Sequence, residues 1–397
     1  MTASLATVAL PDPQIDDAFR SARHTLRNLI LLITEQCNLR CDYCYIRKVP
    51  RAMSRETAQQ SVDFLFAAAK ASRDPLSITF FGGEPLLKPA LIEFIHDAAT
   101  RRARQDDREI SFSMTTNATL VTERNAEMIA RLRIGLRVSL DGIGDVQDRH
   151  RRTVDGKGSF SLIARNLDRI ARLDAVSVRL TVTPDTAAQL PDSVRWLVDR
   201  GFKSISISPV TEAQWTTDSL GALLQAQREL HALQPAAPVH ISSVAKTSRA
   251  LGAAGPRWGC GAARGMAAVD AEGYLYPCHR FVGYFRNGVA QRIGHVATGF
   301  DTARREYYIA ANHSSSRPGC GHGLFTPQVA REERACGNCS LLSVCGSNCM
   351  AVNEHMTGDP ARPHPINRVL AQIDAAASLH QAHSGHPAFP DPCGERT

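Results

Sequence analysis

The chain has 397 residues, of which 43% are hydrophobic and 21% are charged, and its formal net charge is +7. This much apolar side chain suffices for one large core or two moderate ones, so we expect a globular, soluble protein. No run of about 18 apolar residues occurs, and the N-terminus lacks a secretory signal, so we expect a cytoplasmic protein with no membrane span. The positive charge is scattered along helical segments, which argues against nucleic acid as a partner.

Short β-rich runs alternate with helical segments through the first half of the chain. The strand candidates are residues 28–33, 77–81, 110–116, 135–140, 177–182 and 204–208. The intervening segments carry apolar residues at helical spacing: 56–70, 89–104, 122–133, 160–173 and 190–201. Six β/α units in a row predict a parallel sheet with helices outside, either doubly wound or curved as a partial barrel. In both architectures the chemistry lies at the C-terminal ends of the strands.

The regular alternation fades after about residue 210. A helical stretch at 220–234 leads through a segment rich in Pro and Ala into one rich in Gly and Cys. We therefore predict three parts: an N-terminal extension (1–26), an α/β domain (27–235) and a Cys-rich domain (236–397).

The eleven cysteines form two groups, with none between Cys44 and Cys260. Cys37, Cys41 and Cys44 follow the first strand with the spacing C-x3-C-x2-C. In a reducing cytoplasm, clustered cysteines more often bind metal or do redox chemistry than form disulfides. Three ligands leave one position of a metal centre free for a substrate or cofactor. Structural zinc, or burial as small hydrophobic side chains, is the alternative interpretation.

The segment "CNLRCDYC" resembles the cluster motif of radical S-adenosylmethionine (radical SAM) enzymes. In that family three cysteines bind a [4Fe-4S] cluster, and S-adenosylmethionine chelates the fourth iron. The segments "FFGGEP" (80–85), "TTN" (115–117), "SLDG" (139–142) and "DRHRR" (148–152) resemble its later motifs, in order. Alone, a GGE or an SLDG segment more often marks a turn. The resemblance implies a partial (β/α)6 TIM-like barrel and these cofactor-binding residues: Tyr43, Gly82, Gly83, Glu84, Asn117, Ser139, Asp141 and Arg151.

The C-terminal cysteines resemble the seven-cysteine pattern of the SPASM domain, which carries two auxiliary [4Fe-4S] clusters in radical SAM enzymes. Cys260 and Cys278 flank Gly273 as C-x12-G-x4-C, and the later cysteines continue as C-x2-C-x5-C-x3-C from 336 to 349. The resemblance implies that the first auxiliary cluster binds Cys260, Cys278 and Cys349, and that the second binds Cys336, Cys339, Cys345 and Cys393. Cys320 is then left as the fourth ligand of the first cluster, with His322 as a weaker candidate. Zinc is the rival metal, because C-x2-C is also a zinc knuckle.

The resemblance implies reductive cleavage of S-adenosylmethionine to a 5′-deoxyadenosyl radical, with the electron supplied by a flavodoxin or ferredoxin. SPASM enzymes mostly modify ribosomally made peptides, so we expect an oxidative peptide maturase that forms a crosslink. The segment of about 27 residues before the first strand is too short for the leader-binding domain of many such maturases. A precursor peptide would then bind the barrel directly or through a separate leader-binding protein.

Three other functions are open. Anaerobic sulfatase maturases form formylglycine with an aspartate base after the second cysteine of the first auxiliary motif; here the residue is His279, our candidate catalytic residue. A non-catalytic electron-transfer protein is a second alternative, but a relay gains nothing from an open three-cysteine site. RNA modification is a third, although no RNA-binding module is evident.

Overall fold

The structure is a computed structural model that describes residues 24–233, 239–241, 244, 260–286, 289–314, 349–362 and 364–383. Cys37, Cys41, Cys44, Cys260, Cys278 and Cys349 are described, and none of them forms a disulfide. The other predicted ligands lie outside the described residues: Cys320, His322, Cys336, Cys339, Cys345 and Cys393.

Six parallel strands form the centre of one sheet: β1 (Asn28–Thr34), β2 (Leu76–Gly82), β3 (Ile110–Thr116), β4 (Ile134–Ser139), β5 (Val176–Val182) and β6 (Ser204–Pro209). They lie side by side in sequence order. A doubly wound sheet would show a reversal of strand order, so the order is that of a barrel. The predicted α/β fold with parallel strands is therefore confirmed.

Helices connect the strands: α1 (Arg55–Ala68), α2 (Pro89–Gln105), α3 (Glu123–Arg131), α4 (Asp145–His150), α5 (Phe160–Ala164), α6 (Leu167–Ala171), α7 (Leu190–Asp199) and α8 (Thr217–Leu233). The segment 160–173, predicted to be helical, forms two short helices, because the chain breaks between α5 and α6. The Asn166 side chain at this break donates hydrogen bonds to the carbonyls of Ala118 and Thr119, at 3.1 and 3.3 Å. These hydrogen bonds anchor the break to the loop after β3.

The later part of the chain extends the same sheet at both edges. At one edge β7 (His240–Ile241) pairs with β6, and at the other β8 (Met266–Val269) pairs in parallel with β1. β9 (Tyr274–Tyr276), β12 (Gly294–His295) and β13 (Gly299–Phe300) continue from β8 with antiparallel pairing. The sheet thus includes residues on both sides of the predicted boundary after residue 235.

The remaining described elements are β10 (Phe285–Arg286) and β11 (Val289–Ala290), which form a separate hairpin, and three helices: α9 (Thr302–Ser314), α10 (Met350–Thr357) and α11 (Pro365–His383). A helical turn at His279–Val282 directly follows Cys278. Within the described ranges, we find no helix with the length and apolar character that crossing a bilayer requires.

The strands separate a packed face from a polar face. On β2, Leu76, Ile78 and Phe80 are buried in the core, while Thr79 and Phe81 on the opposite face are partly exposed. This period of two is what a strand dictates, because successive side chains point to opposite faces. The helices cover the packed face, and the other face is left for the site.

Candidate active site

A cavity of about 770 Å³ lies against the polar face of the strands. Its wall includes residues from β1 to β6, the loop after β1, and His279 and Arg280 from the later part of the chain. The cavity therefore brings together both cysteine-containing regions of the sequence.

Cys37, Cys41 and Cys44 lie in the loop after β1, are partly buried, and all line the cavity. The backbone N–H of Cys44 donates to the Cys41 carbonyl at 3.2 Å, and Lys48 Nζ lies 2.8 Å from Cys44 Sγ. Burial raises the pKa of the Cys37 thiol, and it raises the pKa of Cys41 to about 11. Thiolates at these positions therefore require added positive charge, which iron supplies on binding.

No group of three or more His, Cys, Asp or Glu side chains in the described part of the chain is arranged around a single metal ion. A cubane cluster makes a different demand, because each cysteine binds a different iron atom and the thiols stand apart. Three thiols in one loop on one cavity wall, with none of the three in a disulfide, fit that demand.

The cysteine loop is fixed at two points. Leu39 is fully buried and bridges to Thr153, and the Arg40 N–H donates to the Arg152 carbonyl at 2.7 Å. On the other side, Asn117 Nδ2 donates to Asn38 Oδ1 at 2.9 Å and lies 3.7 Å from Cys37 Sγ. The loop is therefore positioned by its neighbours before any cofactor binds.

The glycines of "FFGGEP" allow two backbone segments to approach closely. A Cβ atom on Gly82 would lie 2.1 Å from the Thr34 carbonyl oxygen, and Gly82 has a φ of +127°, which favours glycine. The Gly83 N–H donates to the same carbonyl at 2.7 Å, and the Glu84 N–H donates to the Gln36 carbonyl at 2.8 Å. The end of β2 is thus joined to the start of the cysteine loop.

Glu84 is fully buried and does not line the cavity. Its carboxylate accepts hydrogen bonds from the Leu86 N–H, the Thr116 hydroxyl and the Asn117 N–H, at 3.1, 2.7 and 2.8 Å. The side chain therefore ties the end of β2 to the end of β3 instead of facing the cofactor space.

Asp141 is also absent from the cavity wall. Its carboxylate accepts two hydrogen bonds from Arg151, at 2.8 and 3.0 Å, one from the Thr181 N–H at 2.8 Å, and one from the Tyr43 hydroxyl. Arg151 itself lines the cavity, and its Nη1 lies 4.0 Å from Cys41 Sγ. Asp141 therefore holds Arg151 and Tyr43 beside the cysteine loop.

Of the predicted cofactor-binding residues, the structure places these on the cavity wall with the three cysteines: Tyr43, Gly82, Gly83, Asn117, Ser139 and Arg151. They come from the ends of β2, β3 and β4, from the loop that follows β1 and, for Arg151, from the residue that follows α4. Their assignment to S-adenosylmethionine stays a prediction.

The second cysteine region reaches the site through Cys278. Cys278 is buried, and this burial is the main cause that raises its pKa. The nearby thiols of Cys349 and Cys260 raise it further. A Cβ atom on Gly283 would lie 1.9 Å from the Tyr45 carbonyl oxygen, so this segment packs directly on the cysteine loop. The three cysteines that we predict to share the first auxiliary cluster are thus neighbours behind the cavity wall.

His279 lies on the cavity wall between aromatic side chains. Its ring meets those of Phe81 and Tyr45 edge-on, with centroids 4.5 and 6.0 Å apart. Its Nδ1 is buried and has no hydrogen-bond partner among the described residues. Burial and the positive charge of Arg179 lower the pKa of His279 to about 3, so the imidazole is neutral at pH 7.

The sequence analysis missed several charged residues of the cavity wall: Lys48, Arg137, Arg179, Glu212 and Arg280. Glu212 follows β6 and accepts hydrogen bonds from Arg280, at 2.6 Å, and from the Tyr284 hydroxyl. The sequence does carry a signal for Arg137 and Arg179, because polar residues alternate along "GLRVSL" and "SVRLTV" and so mark one face of β4 and β5.

Two relatives differ in how much of the chain they match. A protein of Methanocaldococcus jannaschii is 33% identical over 190 residues, which is 46% of this chain and 62% of that protein. The pre-heme d1 synthase of Dinoroseobacter shibae is 26% identical over 422 residues, 93% of this chain and 96% of that protein. The chain thus spans less than two thirds of the first relative and nearly all of the second.

Two solved structures share the fold. The anSMEcpe structure with bound AdoMet and Cp18Cys peptide has a TM-score of 0.71 and 17% identity, and the match covers 90% of this chain and 98% of that one. SuiB of Streptococcus suis bound to precursor peptide SuiA has a TM-score of 0.56 and 14% identity, with coverage of 92% and 83%. At these identities the likeness is one of architecture.

Residues 31–197 match the family model of the radical SAM superfamily. The matched stretch contains the three-cysteine loop and the ends of β2, β3 and β4 that surround it. The chain therefore contains a radical SAM domain over residues 31–197.

Proposed function

We propose that the protein is a cytoplasmic radical SAM peptide maturase that oxidatively modifies, and crosslinks, a ribosomally made peptide. The observation that carries the proposal is that one cavity is lined both by the three-cysteine loop and by His279 and Arg280, which follow Cys278. A substrate in this cavity would lie near both the site of radical formation and an electron acceptor. Such a placement suits a reaction that removes two hydrogens.

In this proposal Cys37, Cys41 and Cys44 hold a [4Fe-4S] cluster with one open iron site. The cluster and S-adenosylmethionine, when bound, supply a 5′-deoxyadenosyl radical that abstracts hydrogen from an unactivated carbon. The chain's own residues orient the cofactor and exclude water. Tyr43 and Arg151 are held by Asp141, and Asn117 is held by Asn38 and Glu84.

We further propose a SPASM domain with two auxiliary [4Fe-4S] clusters in the C-terminal part of the chain. Cys260, Cys278 and Cys349 would bind the first, with Cys320 as fourth ligand. Cys336, Cys339, Cys345 and Cys393 would bind the second. The proximity of the first three thiols supports this division. A flavodoxin or ferredoxin is the proposed reductant, and a separate leader-binding protein is a proposed partner.

His279 is the proposed catalytic residue. It lines the cavity, and its buried Nδ1 has no partner within the described residues, so the ring is free to hydrogen-bond a substrate. Its position is that of the aspartate base in sulfatase maturases. The histidine in place of that aspartate favours a crosslink over formylglycine formation, which is the alternative reaction.

The test is co-expression with any short open reading frame encoded next to this gene, followed by mass spectrometry. The expected product is lighter by about 2 Da per modification, with suppressed fragmentation between the joined residues and 5′-deoxyadenosine formed in step. The same mass loss with normal fragmentation and a hydrazine-reactive aldehyde would establish formylglycine formation instead. If S-adenosylmethionine does not change the EPR signal of the reduced, reconstituted protein, the result would establish a non-catalytic electron-transfer role.

The match with the Dinoroseobacter shibae pre-heme d1 synthase favours a second candidate, since it spans nearly all of both chains. In that case the substrate would be a haem-type tetrapyrrole. Formation of 5′-deoxyadenosine with a tetrapyrrole extract of the source cells, and not with any co-encoded peptide, would decide for this candidate.

A further inference from the structure

The interior face of the strands is unusually polar. Small or hydroxylated residues and two arginines face the cavity where a closed barrel carries layers of bulky branched side chains: Asn28, Thr79, Ser113, Gly135, Arg137, Ser139, Ser177, Arg179, Thr181, Ser204 and Ser208. Small side chains leave the space empty, and the hydroxyls line it with hydrogen-bonding groups. The cavity therefore suits a polar ligand.

Arg137 on β4 and Arg179 on β5 project from this face near the middle of their strands. In the register, Arg137 is paired with Ser177, and Arg179 is paired with Ser139. Arg179 Nη2 donates to Ser208 Oγ at 2.8 Å, and this hydroxyl is a neutral partner. Within the described residues, neither guanidinium is among the ion pairs.

The other cations of the cavity wall already have partners. Arg151 pairs with Asp141, Arg280 pairs with Glu212, and Lys48 lies against the Cys44 thiol. Asp174 is the other carboxylate on the wall, and it forms no ion pair within 4 Å with either arginine. Arg137 and Arg179 are thus two positive charges in a cavity where the acidic groups are engaged elsewhere or lie farther away.

The positive charges in the cavity act on one another. Burial lowers the pKa of Arg179, and the nearby charges of Arg280 and Arg137 act in the same direction. Arg137 is exposed and Arg179 is partly buried, so holding the two like charges near each other costs free energy mainly at Arg179 in the unliganded protein. Such a cost is typical of a site that binds the opposite charge, because the ligand removes it.

We propose that Arg137 and Arg179 together bind a carboxylate of the substrate, so that the enzyme selects a peptide with an acidic group near the modified residue. A guanidinium fork matches the geometry of a carboxylate and binds it through two hydrogen bonds. The proposal rests on the proposed function in one respect, that the peptide enters this cavity. The acidic group is either an Asp or Glu side chain or a chain-terminal carboxylate.

The test is calorimetric binding to the reconstituted protein with S-adenosylmethionine and without reductant. Three capped probe peptides are compared: acetyl-Gly-Glu-Gly-amide, acetyl-Gly-Gln-Gly-amide, and acetyl-Gly-Gly-Gly with a free C-terminus. We expect one carboxylate probe to bind and the Gln probe to bind far more weakly, and the better probe identifies the source of the carboxylate. Equal binding of all three would overturn the proposal.

Variants assign the effect to the two arginines. Arg179→Gln should weaken the carboxylate probe about thirty-fold or more, because removing one partner of a buried charge pair is costly, and Arg137→Gln, at the exposed arginine, should weaken it less. Arg137→Lys and Arg179→Lys should lose less, since they keep the charge and lose the fork. Arg172→Gln, at an exposed arginine that ends α6, should bind like the unmodified protein. Unchanged discrimination in the Gln variants, or weaker S-adenosylmethionine binding instead, would overturn the proposal.

A second readout separates binding from a structural role. If the arginines repel each other in the unliganded protein, each Gln variant should melt at a higher temperature than the unmodified protein without peptide. A lower melting temperature in both the Gln and the Lys variants would mean that the side chains brace the barrel. Because no turnover is needed, binding of the acidic probe would leave the carboxylate site standing even where the co-expression test fails, so the two proposals can fail separately.

Discussion

A Cβ atom on Gly83 would lie 1.9 Å from the carbonyl oxygen of Gln36, the residue that precedes Cys37. A hydrogen bond adds to this contact, since the next N–H, of Glu84, donates to the same carbonyl at 2.8 Å. The absence of a side chain on Gly83, directly after β2, thus lets the chain take this path just before the first cysteine.

Gly83→Ala should displace the cysteine loop, because the new Cβ would meet the backbone oxygen of Gln36 and neither atom can move away cheaply. We expect loss of about 4 of the iron atoms per chain, the content of one cubane cluster, together with loss of stability. Iron analysis and thermal melting measure the two effects. Gly221→Ala is the matched control, since a Cβ there meets nothing within 4 Å and the site lies inside α8. It should keep all iron and gain stability.

Asp141→Asn should destabilise the fold by roughly 3 to 5 kcal/mol, because it leaves the buried Arg151 without its charged partner. Urea unfolding measures the change. Adding Arg151→Gln to Asp141→Asn should recover part of the loss, since the unpaired charge is then gone. Asp192→Asn is the control, because the Arg195–Asp192 pair is exposed and should contribute less than about 1 kcal/mol. Equal losses at the two aspartates would contradict this account of Asp141.

Glu84 predicts a pH dependence of stability. Burial raises the pKa of its carboxyl from 4.5 to about 7 in the folded protein. The folded chain therefore binds this proton more tightly than the unfolded chain, and the associated stability, on the order of 3 kcal/mol, is complete below about pH 4.5 and is lost as the pH rises through about 7.

The measurement compares urea unfolding of the unmodified protein and of Glu84→Gln between pH 4.5 and 8. The variant should be less stable overall, because its amide would face an N–H donor. It should, however, lack this fall in stability with rising pH. Parallel pH curves for the two proteins would contradict the assignment.

The cysteine assignments predict cluster content. Anaerobically reconstituted protein should hold about 12 iron and 12 sulfide per chain, from three cubane clusters. Changing Cys37, Cys41 and Cys44 together to Ala should reduce the iron to about 8 and leave the auxiliary clusters. Stoichiometric zinc, or about 4 iron in the unmodified protein, would rule out three clusters.

The strands were predictable because each carries a strong local signal. The β1 prediction of 28–33 compares with Asn28–Thr34, and that of 110–116 coincides with Ile110–Thr116. A continuous apolar run identifies β1, and alternating buried and polar side chains identify β3, without reference to the rest of the chain. The break between α5 and α6 was not predictable, because it involves hydrogen bonds from Asn166 to a loop 47 and 48 residues away.

The site was predictable in its residue types and less so in its contacts. Asn117 and Arg151, which the motifs predict as cofactor-binding residues, line the cavity, whereas Asp141 and Glu84, predicted in the same way, do not. All four binding roles stay predictions. The side chains of Asp141 and Glu84 face the protein, and that orientation follows from tertiary hydrogen bonds. Arg137 and Arg179 were missed because their importance depends on strand register and on which carboxylates are already paired.

The central claim is that Cys37, Cys41 and Cys44 form the site at which S-adenosylmethionine is reductively cleaved. The most direct measurement is anaerobic incubation of the reconstituted protein with dithionite and S-adenosylmethionine, with quantification of methionine and 5′-deoxyadenosine. We predict equal amounts of the two products from the unmodified protein and none from the triple Ala variant, which should still retain its auxiliary clusters. Cleavage by the triple variant, or no cleavage by fully loaded unmodified protein, would contradict the account.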